Sequence, residues 1–188
     1  MGFTRASGWL VLSSFWFAGQ AQTASTATQS SAASASASFA YVSDDGCVQN
    51  EVVVFANKST VGSGKAPVTS AEVTYSRYRY DFCEDSDLGT DMGTSVRPAF
   101  SADLNRASLN ATISGHTPSG SVVTVSLVLE WDGKGSVTRQ VRRPQNARAS
   151  GSEHLSRNAS VSGTMDGEDI SDEMVGASLH TTRKTASR

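Results

Sequence analysis

Two stretches of this sequence hold side chains whose types and spacing suit chemistry. Asp81–Asp91 (DFCEDSDLGTD) places Glu84, Asp85, Asp87 and Asp91 together just after Cys83, with Gly89 allowing a tight bend. Hard carboxylate oxygens on a loop pinned by a disulfide are the ligands calcium takes outside cells. The spacing departs from the EF-hand, so calcium is the candidate and an ordinary solvated acidic loop the alternative. The second stretch is basic: Arg139, Arg142, Arg143 and Arg148 fall within residues 134–157, where Glu153 is the one acid. Arg142–Glu153 reads as a long polar connection between strands, suited to an anionic polysaccharide or cell-wall polymer. The competing readings are a solvated loop, or pairing with acidic segments of this or another copy. No aromatic residues are interleaved with these arginines, so a nucleic-acid partner is not expected.

Catalytic constellations are weaker. Glu130 and Asp132 flank Trp131 at the i, i+2 spacing that puts two carboxylates on one strand face, as sugar hydrolysis requires. Trp131 points the other way, however, and Asp132 opens an Asp-Gly pair typical of turns. His116, His154 and His180 sit in turn-like or wet-face contexts, and no GxSxG elbow supplies a nucleophile. With 3 His and 2 Cys there are too few soft ligands for a structural zinc. No catalytic residue is assigned, and no cofactor beyond the calcium candidate. A non-enzymatic exported binding module is expected, with a small secreted hydrolase and a purely structural envelope protein as alternatives.

The elements that must carry these residues are strands. Val123, Val125, Leu127, Leu129 and Trp131 share one face of a run whose other face carries Thr124, Ser126 and Glu130. Ala107, Leu109, Ala111 and Ile113 repeat the pattern, as do Ala159, Val161 and Met165, and Val175, Ala177 and Leu179. One dry and one wet face indicates antiparallel pairing. Glu51–Ala56 (EVVVFA) is apolar on both faces, as a central strand would be. In Ala71–Cys83, Val73 and Tyr75 are in phase and Tyr78, Tyr80 and Phe82 are not, which suggests a bulge near Ser76–Arg77. Asp132-Gly133 follows the cleanest strand and predicts a hairpin of Val122–Trp131 with Ser136–Val141. No stretch has a helical period. The expected class is all-β: an antiparallel two-sheet sandwich of about eight or nine strands, immunoglobulin-like or jelly-roll, with a barrel as runner-up.

The 188 residues, 38% hydrophobic and 18% charged, suffice for one domain. The balance of 16 Lys+Arg against 18 Asp+Glu excludes a strongly basic chain. Residues 1–21 read as a secretory signal peptide: Arg5, the apolar run Trp9–Ala18, and small residues Gly19 and Ala21 before cleavage. That run is too short to span a bilayer, and no later stretch is longer, so a secreted, extracellular protein without a transmembrane segment after cleavage is expected. Residues 22–38, built of Ala, Ser, Thr and Gln, read as a flexible leader, and 39–188 as the folded domain. In an oxidising compartment Cys47 and Cys83 should form a disulfide. Asn-x-Ser/Thr triplets occur at Asn57, Asn110 and Asn158.

From Cys47 to about Arg139 the chain resembles a group of secreted bacterial β-rich proteins without a known activity. The stretch Leu104-Asn-Arg-Ala-Ser-Leu-Asn-Ala-Thr112, followed by the Val-rich strand and Trp131-Asp-Gly-Lys-Gly135, carries the likeness, and residues 159–167 (ASVSGTMDG) match more loosely. The resemblance implies export and strands, and no site residue or activity. Sequence leaves ligand, strand order and oligomeric state open.

Overall fold

A computed structural model describes residues 30–63, 67–143, 150–170 and 176–186. The proposed signal peptide, residues 22–29 of the leader and Arg148 lie outside the described residues. The chain is all-β and antiparallel, as its alternation requires. The strands are β1 (Ser30–Asp45), β2 (Val48–Ser63), β3 (Val68–Asp81), β4 (Ser86–Val96), β5 (Ala99–Ala102), β6 (Arg106–His116), β7 (Val122–Arg142), β8 (Ser150–Met165), β9 (Glu168–Ile170) and β10 (Gly176–Ala186). The described residues contain no helix, and so none long and apolar enough to cross a membrane.

The ten strands form one hydrogen-bonded sheet in the order β10-β1-β2-β3-β4-β6-β7-β8-β9, and β10 also pairs with β8. With β1 on one edge of β10 and β8 on the other, the eight long strands pair in a ring. This is the pairing order of the runner-up barrel; the long crossovers of an immunoglobulin-like or jelly-roll chain are not found among the described strands. Closure leaves the ring without free edges where all eight strands are present.

The inner face carries the core. Phe39, Val52, Val54, Val73, Leu109, Ile113, Val125, Leu127, Leu129, Trp131, Val161 and Leu179 are buried there. Each large apolar side chain removed from water contributes about 1.5–3 kcal/mol. Trp131 crosses the interior, and its indole N–H donates to the Ser38 carbonyl at 3.1 Å. The outer face of β2 is not covered: Val53 and Phe55 are exposed, so its two-sided apolar run does not mark a strand buried on both sides.

Four sequence expectations are corrected. Residues 30–38 are not part of a leader but the first half of β1, paired to β10 and β2, with Ala37 fully buried. Alternating Ala and Ser there is a strand pattern whose inner methyls suit a narrow interior. Asp132-Gly133 is not a hairpin turn: β7 runs through it, with Asp132 opposite Arg106 and Ser160. Gly133 is needed because a Cβ there would lie 2.5 Å from the Leu104 carbonyl oxygen. β3 keeps its phase past Tyr75; Arg77 and Arg79 take the next inward positions, and the register shift against β4 falls between Arg79 and Tyr80. Finally, the second half of Asp81–Asp91, read as an acidic loop, belongs to strand β4.

Candidate functional site

The ring's walls are unequal in length. β6 pairs with β7 only as far as Arg106–Asp132, while β7 runs on against β8 to Arg142. β4 stops against β3 at Val96–Glu72, while β3 continues against β2 to Val68. Six strands, β3-β2-β1-β10-β8-β7, therefore extend past the end of the other two. β5 lies at that level: it pairs with β6, buries Phe100 in the core and touches β1 and β2. Above it, on the continuing inner face, is a cavity of about 480 Å³ with Ala102 in its lining. This is within the range of small-ligand sites.

Register explains why the space is hollow. Core positions Ala37, Ala56 and Leu179 are followed, two residues along each strand, by the row Lys58, Ala35, Thr181 and Leu155. Next comes the row Thr60, Ala33, Arg183 and Glu153. β1 contributes only methyl groups to the middle of both rows, so the wall that would fill the interior with larger side chains leaves room instead. All eight of these residues line the cavity.

Its charges are unevenly partnered. Glu153 lies opposite Arg183 in the β8–β10 register, yet its carboxylate accepts from Arg139 Nε of β7 at 2.6 Å. The side chains of Lys58 and Arg183 form no ion pair or hydrogen bond among the described residues. One wall of the cavity thus presents two cations without a counter-ion among those residues, separated by alanine.

The sequence-predicted acidic set does not converge. Glu84 and Asp85 sit in the exposed turn between β3 and β4, and Asp87, second in β4, accepts from the Gly89 N–H at 2.7 Å. Asp85 is bonded by the Tyr80 hydroxyl, which raises the Tyr80 pKa. Asp91 points inward and is 1% exposed, accepting from Arg77 Nη2 at 2.7 Å and Arg79 Nη2 at 3.3 Å. Burial is the largest single influence and works against the Arg77 charge, but the hydrogen bond to Asp91 together with the charges of Tyr75, Asp91 and Asp166 outweighs it, and the pKa is raised. Beside this group the Tyr75 hydroxyl is buried without a partner, and burial raises its pKa. Cys47 and Cys83 form the expected disulfide, with Cα atoms 5.3 Å apart. Their sulfurs are thereby taken from the Cys47–Asp81–Cys83 cluster, the one group with metal-ligand proximity among the described residues.

Of the basic set, Arg139 is on β7 beside the cavity rim, Arg142 ends that strand and Arg143 follows it. Glu130 and Asp132 are exposed on the outer face, within 3.8 and 3.3 Å of Arg106. His116 is exposed. His154 and His180 are half-buried, stacked with centroids 5.4 Å apart. Ser178 Oγ lies 2.8 Å from His180 Nε2, and burial, then His154, lowers the His180 pKa. Sequence reading missed Lys58 and Arg183. Their inward parity was legible, but only the ring closure brings them to one cavity.

No protein-family model matches the chain, and no curated protein does. A solved structure from Nitrosomonas europaea, provisionally assigned as an AttH, is similar at 14% identity with a TM-score of 0.32. The match covers 86% of this chain and 52% of that one. A likeness this distant supports no inference about function.

Proposed function

We propose that this chain is a non-enzymatic binding module of the cell exterior that takes a small ligand into the cavity at the open end of its strand ring. The observation that carries this reading is the lined hollow above β5, where β1 presents only the methyl groups of Ala33 and Ala35 to the interior. The one hydroxyl–imidazole contact at the lining, Thr182 Oγ1 with His154 Nδ1 at 3.0 Å, has no carboxylate bonded to the imidazole among the described residues, while small walls and a few polar groups are what a binding pocket uses. The disulfide supports an oxidising location, and with it export.

A neutral fluorescent probe, N-phenyl-1-naphthylamine, tests the cavity without regard to charge. The full chain should bind one equivalent saturably, and Ala35→Leu should remove that binding while the chain stays folded. Absence of saturable binding, or binding that Ala35→Leu leaves unchanged, overturns the reading.

A second reading, the anionic polymer expected from sequence, is favoured by Arg142 and Arg143 at the tip of β7. It predicts salt-sensitive retention on anionic polysaccharide that is lost in the Arg142→Ala, Arg143→Ala double variant. Retention by that variant would remove it.

A further inference from the structure

We infer that the ligand of this cavity is a small amphipathic anion, its charged group held between Lys58 and Arg183 and its apolar part laid against Leu155 and the alanines of β1. This rests on the binding reading above and adds the chemistry of what is bound.

Three observations carry it. First, Lys58 and Arg183 stand on the strands flanking β1, one row apart, with only Ala33 and Ala35 between them. Both side chains are long enough to lean over methyl groups toward a common point, and neither has a counter-ion among the described residues. Second, the nearest carboxylate, Glu153, is engaged by Arg139 at 2.6 Å and so does not neutralise Arg183, its register neighbour. A guanidinium and an ammonium left facing one hollow favour an anion, with the guanidinium able to donate two parallel bonds. Third, charge is segregated along the ring. The β3–β4 turn with Glu84 and Asp85, and the β8–β9 turn with Asp166 and Glu168, lie at the opposite end of the strands. An approaching anion is repelled there and drawn to the end where Lys58, Arg139, Arg142 and Arg183 outnumber the carboxylates Glu153 and Asp103. The remaining lining sets Leu155, Ala33, Ala35 and Ala102 beside the hydroxyls of Ser34, Thr60, Thr181 and Thr182, and carries no aromatic platform for stacking a sugar. It suits an alkyl or small cyclic body.

The test is calorimetric titration of the full chain with decanoate, decanol and decyltrimethylammonium, which share a tail and differ in charge. Decanoate should bind at one site at least about tenfold more tightly than decanol, and the cation more weakly than either, since one charge-assisted contact in a partly desolvated site is worth about that factor. Lys58→Gln and Arg183→Gln should each weaken decanoate about tenfold, leave decanol unchanged and leave the melting temperature unchanged, because neither side chain has a partner to lose among the described residues. Decanol binding as tightly as decanoate, or variants without effect, overturns the assignment of an anion while loss of both ligands in Ala35→Leu still upholds the cavity. Binding of none of the three overturns the inference as well, and the neutral-probe titration then decides the cavity separately.

Discussion

Arg77 of β3 and Asp91 of β4 face each other across the strand pair inside the ring, their guanidinium and carboxylate 2.7 Å apart. A position that alternation assigns to an apolar side chain is held by a charge, made tolerable by a carboxylate that also takes Arg79. Removing that carboxylate leaves two guanidiniums in a half-buried setting. Asp91→Asn should therefore lower stability by roughly 2–4 kcal/mol, read by urea unfolding. A change under about 0.5 kcal/mol, typical of ordinary surface substitutions, would show that the pair is not part of what holds the ring closed.

The disulfide closes a loop of 36 residues between the start of β2 and the end of β3. Loop-entropy arithmetic gives about 4 kcal/mol for such a closure. Cys83→Ser paired with Cys47→Ser should lose much of that in urea unfolding, and reduction of the native chain should match the double variant. Equal stability of oxidised and reduced chains would contradict this.

His180 is pushed below its ordinary pKa by burial and by the stacked His154, and the outer face around them adds Arg142 and Lys184 but no acid. A depressed histidine pKa means the unfolded chain takes up the proton first. Stability is full above about pH 6.5, the unfolded value, and declines as pH falls through it toward the folded pKa. Melting temperature should drop between pH 7.5 and 5.5, and His180→Gln should reduce that drop. An unchanged slope in the variant would assign the effect to other groups.

At Gly133 a Cβ would meet the Leu104 carbonyl oxygen at 2.5 Å and Arg157 Cδ at 3.0 Å. Gly133→Val should destabilise by about 1–3 kcal/mol through backbone displacement. A turn of the kind Asp-Gly suggests would have tolerated it much better, so a neutral Gly133→Val would contradict the continuous β7.

How far the fold could be read from sequence depended on whether apolar alternation was the governing signal. It was for β6, for β7 to Trp131 and for β8, whose inward residues are those the period of two selects. It failed for β1, because Ala and Ser differ so little in hydropathy that a true alternation looked like a low-complexity leader. It failed for β3 and β4 because the inward positions hold Arg77, Arg79 and Asp91, whose mutual compensation is invisible until the strands are paired. Tyr78 and Tyr80 drew the phase outward with them. Asp132-Gly133 misled because a glycine required for close approach carries the same signature as one required for a turn. The acidic and basic segments were correctly seen as segregated, yet the residues of the cavity lie on strands far apart in sequence. Lys58, Glu153 and Arg183 meet only because β10 pairs with both β1 and β8.

Amide chemical shifts of the full chain should be followed while decanoate is titrated in. A ligand in the cavity should give saturable changes confined to Ala33–Ala35, Lys58–Thr60, Glu153–Leu155 and Thr181–Arg183. Changes centred on the Glu84–Asp87 turn, or scattered along the outer face of the strands, would contradict that placement.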